Sequence, residues 1–244
     1  MSAAAKAQLE AYLHESDVRQ GNLRATKVTD SPLRRIVKGL VPVRLRGTAR
    51  VWITDIAAPL VRRRVPAILN RGPLLIHLGS GGEHKAGWVN IDLAGDPVEM
   101  AWNLARPLPF PDGVADAVFH EHLLEHIPLA AGVGLMRESR RILKPGGVLR
   151  VGVPDAGRLL HSYVSHDGYL EGLHPDRPTP LLAVQELFYW NRHCTMYDLD
   201  TLDFLARAAG FDGVERREFG ESNIHPVPDT ERRRAETLYV ETAR

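Results

Sequence analysis

The sequence predicts an α/β fold: a mostly parallel sheet with helices on both faces, preceded by a helical N-terminal extension. From residue 73 onward, short apolar segments alternate with segments of helical length, an order typical of parallel sheets. The first apolar segment, residues 74–78, runs directly into the glycine-rich residues 79–82. This pattern indicates a buried strand that enters a tight turn.

Seven segments are predicted as strands, because each is short, apolar or alternating, and bounded by turn residues. They are residues 74–78, 88–93, 98–102, 115–119, 148–153, 213–219 and 237–242. Asp112-Gly113 forms the turn before the fourth strand, and Pro145-Gly146-Gly147 precedes the fifth. We therefore expect a seven-stranded sheet.

Helical segments lie between these strands and before them. Those between the strands are residues 135–143, 181–190 and 199–209, the last of which ends at Gly210. Those before the sheet are residues 3–18, residues 31–38 after Ser31-Pro32, and residues 51–69, interrupted by Pro59 and Pro66. Because the N-terminal pieces are too short to close a core, we expect an extension at residues 1–71 and the main domain at residues 72–244.

The composition favours a cytoplasmic protein. With 44% hydrophobic and 25% charged residues, the 244-residue chain can bury a substantial core. Its single cysteine, Cys194, excludes a disulfide framework and a multi-cysteine zinc site, which fits a reducing compartment. No uncharged apolar run approaches the roughly 18 residues of a membrane span. Residues 1–20 carry charges and lack the apolar core of a secretion signal.

The net charge of +1 conceals an uneven distribution. Between Arg19 and Arg71 there are 13 lysine and arginine residues against two acids, whereas from Gly72 onward 17 basic residues face 25 acidic ones. A basic segment can indicate an anionic partner such as a membrane surface, a nucleic acid or an acidic substrate. The alternative is a basic face that packs on the acidic remainder or lies in solvent.

The glycine turn and the acid after it indicate a nucleoside-binding site. Glycines let backbone amides approach a ligand closely, and an acid at the end of the next strand can accept hydrogen bonds from ribose hydroxyls. The acid here is Asp92, 13 positions after Gly79, whereas dinucleotide-binding units use about 20 because a helix intervenes. Without room for that helix, an adenosyl ligand that has no phosphates fits better than NAD. The candidate residues are Gly79, Ser80, Gly81, Gly82 and Asp92.

Several further motifs follow in order along the chain. They are residues 78–82 with 87–92, 108–112 with 115–118, 124–127, 141–147 with 153–155, and His193 with 196–198 and 209–211. In this order they resemble the class I S-adenosylmethionine-dependent methyltransferases of type 11, especially a group associated with sugar and polysaccharide modification. The resemblance covers about residues 74–240 and implies a Rossmann-like sheet and S-adenosylmethionine as the cofactor.

The resemblance also implies roles for individual residues. Gly79 and Gly81 would line the methionine part of the cofactor, and Asp92 would hold its ribose. The family usually has an acid near position 103 that reads the adenine amino group; Asn103 departs from this, although its amide oxygen can accept the same hydrogen bond. Leu104 and His120 complete the predicted cofactor-binding set.

A cluster of histidines and acids follows the fourth strand, where ligands bind on open α/β sheets. His122 and His126 are four residues apart and would share a helical face. With Glu125 they match the H-x-x-E-H pattern of inverted zinc peptidases, so a zinc hydrolase is an alternative. That pattern needs a long helix rather than a strand end, and in the methyltransferase interpretation Glu125 and His126 orient the local structure.

The predicted catalytic residues are Glu121, His122 and His193. A hydroxyl acceptor must lose its proton to become a good nucleophile, and a histidine suits that task at neutral pH. A divalent metal that grips the acceptor between Glu121 and a histidine is an alternative. Aromatic residues at positions 188, 189, 190 and 197 could bind sugar rings, or could be buried in the core instead.

We therefore predict an O-methyltransferase that acts on a hydroxyl of a sugar or polysaccharide, with a small molecule or oligosaccharide as substrate. A lipid or polyketide hydroxyl is the alternative acceptor, with the basic extension in peripheral contact with a membrane. A binding protein without turnover is a further alternative. A nucleic-acid substrate is disfavoured, because no Asn/Asp-Pro-Pro-Phe/Tyr motif follows the fourth strand. The sequence leaves open whether the chain forms a homo-oligomer.

Overall fold

The computed structural model describes residues 3–19, 43–93, 98–189 and 193–244. Contacts group the chain into two units, Met1–Ala49 with Arg158–His193, and Arg50–Gly157 with Cys194–Arg244. The helix predicted at residues 31–38 falls outside the described residues. The domain boundary predicted after residue 71 stays a prediction.

The second unit contains one seven-stranded sheet. The strands are β1 (Leu75–Leu78), β2 (Val89–Asp92), β3 (Met100–Ala101), β4 (Ala115–Glu121), β5 (Leu143–Pro154), β6 (Glu215–Arg217) and β7 (Thr237–Ala243). Their order is β3-β2-β1-β4-β5-β7-β6. The first five strands pair in parallel, and β7 runs antiparallel to both β5 and β6. The predicted Rossmann-like, mostly parallel sheet is confirmed.

The central strands are buried, which explains their continuous apolar sequences. Ile76 on β1 pairs in register with Val89 on one side and Val118 on the other. Ile76, Val118 and Leu149 are all fully buried. Burial of one such side chain contributes about 1.5–3 kcal/mol, so these strands form a rigid base for the loops at their carboxyl ends.

Eight helices are described. They are α1 (Ala3–Arg19), α2 (Val43–Arg62), α3 (Val65–Leu69), α4 (Leu129–Ile142), α5 (Ala156–Ser165), α6 (Tyr169–Leu173), α7 (Pro180–Tyr189) and α8 (Leu199–Ala209). None of these described helices is long and apolar enough to cross a membrane. Helix α8 begins at the Asp198 cap, which accepts a hydrogen bond from the Thr201 amide at 2.9 Å. It ends at Gly210, as predicted.

Other helix predictions need correction. The segment predicted at residues 51–69 is two helices, because α2 continues through Pro59 to Arg62 and Pro66 lies in the first turn of α3. Helix α4 begins earlier than predicted, directly after Pro128, a residue that is compatible with a helix start. Helices α5 and α6 were not predicted.

In the first unit, one arginine joins two helices. Arg177 forms an ion pair with Glu15 of α1 at 3.1 Å and another with Glu186 of α7. Its guanidinium also lies 5.9 Å from the ring centroid of Tyr12, which is buried on α1. Because Arg177 and Glu186 are both largely buried, removal of Arg177 would leave the charge of Glu186 without this partner.

A buried ion-pair cluster fixes the segment that precedes β7. Arg150 on β5 is fully buried and pairs with Asp229 at 2.6 Å and with Glu241 at 3.0 Å. Asp229 directly precedes Thr230, where a 3-10 turn (Glu231–Arg233) begins. The cluster therefore positions this turn, which contributes to the cavity described below.

Candidate active site

A cavity of about 570 Å³ lies at the carboxyl ends of β1, β2 and β4. The strand order reverses here, since β2 and β4 lie on opposite sides of β1, and ligands of open α/β sheets bind at such a point. Its volume is within the usual range for small-molecule sites. The walls come from residues 50–51, 77, 79–83, 92–93, 103–105, 121–123, 126–127 and 232–233.

The glycine turn presents its backbone to this cavity. Gly79 and Gly81 have φ angles of 67° and 50°, in the left-handed region that favours glycine. A Cβ at position 79 would lie 2.7 Å from the Leu123 side chain, so Leu123 would have to move to admit any other residue there. A Cβ at Gly81 or Gly82 would meet nothing within 4 Å. The turn therefore leaves open space beside its backbone, which fits the adenosyl ligand predicted from the sequence.

Asp92 joins the end of β2 to the glycine turn. Its Oδ2 accepts a hydrogen bond from the Gly81 amide at 2.7 Å, and its Oδ1 accepts one from the Leu93 amide at 2.6 Å. Each carboxylate oxygen can accept a second hydrogen bond. Asp92 lines the cavity, so its remaining acceptor capacity fits the hydroxyls of a ribose.

Asn103 lies beside an acid that the sequence analysis missed. Its amide oxygen accepts a hydrogen bond from the Ala105 amide at 3.1 Å, and its Nδ2 donates to Asp55 Oδ1 at 3.2 Å. Asp55, on α2, also pairs with Arg106 at 3.1 Å. No sequence signal connects residues 48 positions apart. Asp55 thus places a carboxylate beside Asn103, although Asp55 is not among the described residues that line the cavity.

Helix α2 contributes directly to the cavity wall as well. Arg50 and Val51 line it, and Arg50 donates to the Leu93 carbonyl at 3.4 Å. Leu104, predicted as a cofactor-binding residue, lines the cavity and is largely buried.

His120 is fully buried on β4 and is not among the described residues that line the cavity. Both of its ring nitrogens lack a hydrogen-bond partner in the described part of the chain. Burial, reinforced by nearby His77, lowers the pKa of His120 to about 3, so the ring is neutral at physiological pH. This position favours a role in the core over the predicted contact with the cofactor.

Glu121 ends β4 and reaches the cavity. Its Oε1 accepts hydrogen bonds from the Tyr239 hydroxyl at 2.6 Å and from the Thr230 amide at 3.2 Å. Its Oε2 lies 3.9 Å from Arg233 Nε, too far for a hydrogen bond. Burial and the neighbouring Glu121 carboxylate raise the pKa of Tyr239, so this hydroxyl keeps its proton and donates it to Glu121.

His122 is held in a strained backbone conformation with a φ angle of 51°. Its Nε2 lies 2.8 Å from Thr237 Oγ1, and the Thr237 hydroxyl donates its own proton to the Arg233 carbonyl at 2.8 Å. Thr237 must therefore accept from His122, which assigns the ring proton to Nε2 and the lone pair to Nδ1. His122 Nδ1 lies 3.5 Å from Glu125 Oε1.

Glu125 is buried beneath His122. Burial raises the pKa of Glu125 to about 8, and both carboxyl oxygens lack a hydrogen-bond partner in the described part of the chain. Residues Leu124–His126 form a single 3-10 turn. The prediction that His122 and His126 share a helical face is therefore wrong, and the helix that the zinc-peptidase pattern needs is absent from residues 122–126.

The residues predicted to bind a sugar ring are only partly described. Tyr197 is buried, and its hydroxyl donates to the Leu124 carbonyl at 3.4 Å, so this ring belongs to the core rather than to an exposed aromatic surface. Trp190 and the side chains of Phe188 and Tyr189 fall outside the described part. His193 is half-buried and belongs to the first unit, so its catalytic role stays a prediction.

His77 and Arg233 also line the cavity, although no sequence motif marks either residue. His77 looks like a core residue of β1 in sequence, and its Nδ1 lies 3.0 Å from Asn90 Oδ1. Burial lowers the pKa of His77 to about 4, so it faces the cavity as a neutral ring. Arg233 lies in a polar loop far from every recognised motif, and no local signal distinguishes it from its arginine neighbours.

Comparison with known proteins matches residues 84–151 to the model of a methyltransferase domain family, type 11. This segment contains Asp92, Asn103 and the end of β4. No curated protein matches the chain.

Similar solved structures include an S-adenosylmethionine-dependent methyltransferase from Archaeoglobus fulgidus, 14% identical, with 78% of this chain and 94% of that chain covered and a TM-score of 0.45. An O-methyltransferase family protein from Burkholderia thailandensis is 15% identical, with 96% and 70% covered and a TM-score of 0.48. An S-adenosylmethionine-dependent methyltransferase from Mesorhizobium loti is 17% identical, with 77% and 97% covered and a TM-score of 0.40.

The family match covers β2, β3, β4 and most of β5, whereas β1 and the glycine turn precede it. The glycine turn and Asp92 fit an adenosyl ligand. Residues 84–151 therefore resemble a methyltransferase domain.

Proposed function

We propose that this cavity methylates a hydroxyl of a small molecule or oligosaccharide, with a sugar or polysaccharide as the preferred acceptor. One observation carries the proposal: Glu121 and His122 line the same cavity as the glycine turn and Asp92. A proton acceptor beside the cofactor site is useful for a hydroxyl, whereas a thiolate or carboxylate acceptor needs none. The sugar preference rests on the resemblance of the sequence motifs alone.

The cofactor-binding residues are proposed from their positions on the cavity wall. The backbone of Gly79, Ser80, Gly81 and Gly82 would hold the methionine part, and Asp92 the ribose. Asn103 and Leu104 would contact the adenine. S-adenosylmethionine, when bound, supplies a methyl group activated by a sulfonium. The protein's own task is to align the acceptor with that methyl group and to exclude water.

His122 is the proposed proton acceptor. With its proton on Nε2 and anchored on Thr237, the neutral ring keeps a lone pair on Nδ1. If Nδ1 takes the hydroxyl proton, the imidazolium lies 3.5 Å from Glu125 Oε1 and 3.9 Å from Glu236 Oε1. The Glu236 carboxylate would stabilise that positive charge, whereas Glu125, whose pKa burial raises to about 8, would do so only in its ionised form.

Glu121 is the second candidate for the proton acceptor. In this proposal it orients the acceptor hydroxyl. Its Oε1 already accepts two hydrogen bonds, whereas its Oε2 makes none within the described residues and can accept one from an acceptor hydroxyl. His193 remains a third candidate from the sequence. A divalent metal is the alternative source of hydroxyl activation.

The test combines turnover with cofactor binding. Purified protein and S-adenosylmethionine are screened against sugars, oligosaccharides, lipids and RNA for methyl incorporation. His122→Ala is expected to lower turnover by about 100- to 10,000-fold, the usual loss of a general base, with unchanged affinity for S-adenosylhomocysteine. His84→Ala, an exposed histidine outside the described cavity wall, is the matched control.

Three results would contradict the proposal. Methylation of only an amine, thiol or carboxylate would exclude the hydroxyl acceptor. Near-normal turnover in the Glu121, His122 and His193 variants would show that none of these residues is the general base. Loss of activity on chelator treatment, restored by a divalent ion, would favour the metal alternative.

A further inference from the structure

Two donor nitrogens of Arg233 in the cavity wall make no hydrogen bond within the described part of the chain. The Arg233 side chain is only 18% exposed, and its Nε and Nη1 are buried without a hydrogen-bond partner in the described part of the chain. Its closest charged contact is Glu121 Oε2, 3.9 Å from Nε. A buried charged donor without an acceptor costs about 1–3 kcal/mol or more. Such a cost in a ligand cavity indicates a group that the ligand satisfies.

Neighbouring cations differ from Arg233 in this respect. Arg232 pairs with Glu83 at 2.7 Å. Lys85 donates to Thr230 Oγ1 at 3.3 Å and lies 5.3 Å from the ring centroid of Phe119. Among these described cations, Arg233 alone lacks a hydrogen-bonded partner for its charged group. Its planar fork of donors matches a carboxylate or a phosphate in bidentate geometry.

The backbone places Arg233 beside the proposed proton acceptor. The Arg233 carbonyl accepts the proton of Thr237, and Thr237 in turn holds His122 Nε2. Arg233 Nε also lies next to Glu121. An anion bound to this guanidinium would therefore be held on the same wall as Glu121 and His122, which is the acceptor end of the cavity in the proposed function.

We propose that Arg233 binds a carboxylate or phosphate group of the acceptor, so that the methylated hydroxyl belongs to an acidic molecule. This proposal rests on the proposed function in one respect: the acceptor binds at the end of the cavity that Glu121 and His122 line. The carboxylate of the cofactor is the other anionic group that could bind Arg233, and the experiment distinguishes it from an anionic group of the acceptor.

The first measurement uses the cofactor alone. Calorimetry compares S-adenosylhomocysteine with 5′-methylthioadenosine, which lacks the amino-acid carboxylate, on wild type and Arg233→Gln. Unchanged affinity for both ligands is expected. If Arg233→Gln binds S-adenosylhomocysteine about tenfold or more weakly but 5′-methylthioadenosine normally, the anion is the cofactor's carboxylate and the proposal is overturned.

The second measurement uses acidic and neutral sugars. Ligand-observed NMR on protein saturated with S-adenosylhomocysteine compares D-glucuronate with D-glucose. Wild type is expected to prefer glucuronate by at least about tenfold, as for a charge-assisted hydrogen bond. Arg233→Gln loses this preference, and Arg233→Lys keeps part of it because the point charge remains. Arg234→Gln, an exposed neighbour paired with Glu231, keeps the wild-type preference. Equal binding of the two sugars to wild type would overturn the proposal.

Thermal unfolding separates binding from structural support. Because Nε and Nη1 of Arg233 make no described hydrogen bond and its ion pair with Glu121 is long, at 3.9 Å, Arg233→Gln is expected to melt at the same temperature as wild type or higher. A clear fall in melting temperature would mean that the guanidinium supports the fold, and would overturn the proposal. None of these measurements needs turnover. Methylation of neutral sugar hydroxyls would defeat this proposal alone, whereas glucuronate binding without methylation would defeat only the proposed function.

Discussion

Buried ionisable side chains near the end of β4 have opposite pKa shifts. Burial raises the pKa of Glu125 to about 8 and lowers the pKa of His120 to about 3. Both shifts favour the neutral form, as expected where charge loses its hydration. The sequence identified the cluster but not these states, because burial depends on strands and loops that are distant along the chain.

The Glu125 shift predicts how stability depends on pH. Between pH 4.5 and about 8, the folded chain holds a proton on Glu125 that the unfolded chain has released, so this group lowers the free energy of unfolding as the pH rises. Glu125→Gln should therefore unfold at a higher temperature than wild type at about pH 9, and the gain should shrink towards about pH 5. Thermal unfolding across this pH range measures it.

Glu138→Gln is a control of opposite sign. The hydrogen bond from Arg141 lowers the pKa of Glu138, so its ionised form stabilises the fold above the unfolded-state pKa of 4.5. This variant should be less stable than wild type at about pH 9, and the difference should decrease as the pH falls below about 4.5. If Glu125→Gln is no more stable than wild type at high pH, Glu125 is ionised at little cost and the burial argument is wrong.

At the scale of elements, helix α2 was assigned to an extension, yet it lines the cavity through Arg50 and Val51. Its side chain Asp55 holds the amide of Asn103. Its solvent-facing side carries a row of exposed apolar residues: Trp52, Ile53, Ile56 and Leu60. Peripheral membrane contact and oligomer formation stay predictions, and this row is the surface on which either would be tested.

Asp55 is expected to support cofactor binding through Asn103. Asp55→Ala removes the acceptor that fixes the Asn103 amide, so affinity should fall by about 1 kcal/mol, the typical value of one hydrogen bond. Calorimetry should record the same loss for S-adenosylhomocysteine and 5′-methylthioadenosine, because both carry the adenine. Asp112→Ala removes an exposed partner of Arg141 and should bind normally. Unchanged affinity in Asp55→Ala would mean that Asp55 of α2 does not contribute to cofactor binding.

The three arginines at and directly after the end of α2, Arg62, Arg63 and Arg64, pack partly on the chain itself. Arg62 lies 5.5 Å from the ring centroid of Trp102, and Arg64 donates to the Glu99 carbonyl at 3.0 Å. Neutralising each to glutamine should lower stability by about 0.5–1 kcal/mol. Arg63→Gln is the matched control, since no side-chain partner is described for it. Equal melting temperatures for all three variants would mean that the run is a solvated face.

At the scale of the molecule, the sequence predicted what depends on local pattern. The sheet, the glycine turn and Asp92 follow from short apolar segments and their spacing. Asp55 and Arg233 could not be predicted, because their contacts to Asn103 and Glu121 join residues far apart in sequence. The expectation that His122 and His126 share a helical face was wrong, because His122 adopts a left-handed backbone conformation that interrupts a helix.

The central claim is that the cavity binds an adenosyl cofactor through the glycine turn and Asp92. Calorimetry of S-adenosylhomocysteine with wild type, Asp92→Ala and the control Asp112→Ala tests it most directly. We predict binding to wild type and to the control, and a loss of about 1.5–3 kcal/mol in Asp92→Ala, because hydrogen bonds to a charged group are removed. The loss of binding free energy should lie at the upper end of this range, because Asp92 also accepts a hydrogen bond from the Gly81 amide. No binding to wild type, or equal affinity in Asp92→Ala, would contradict the account.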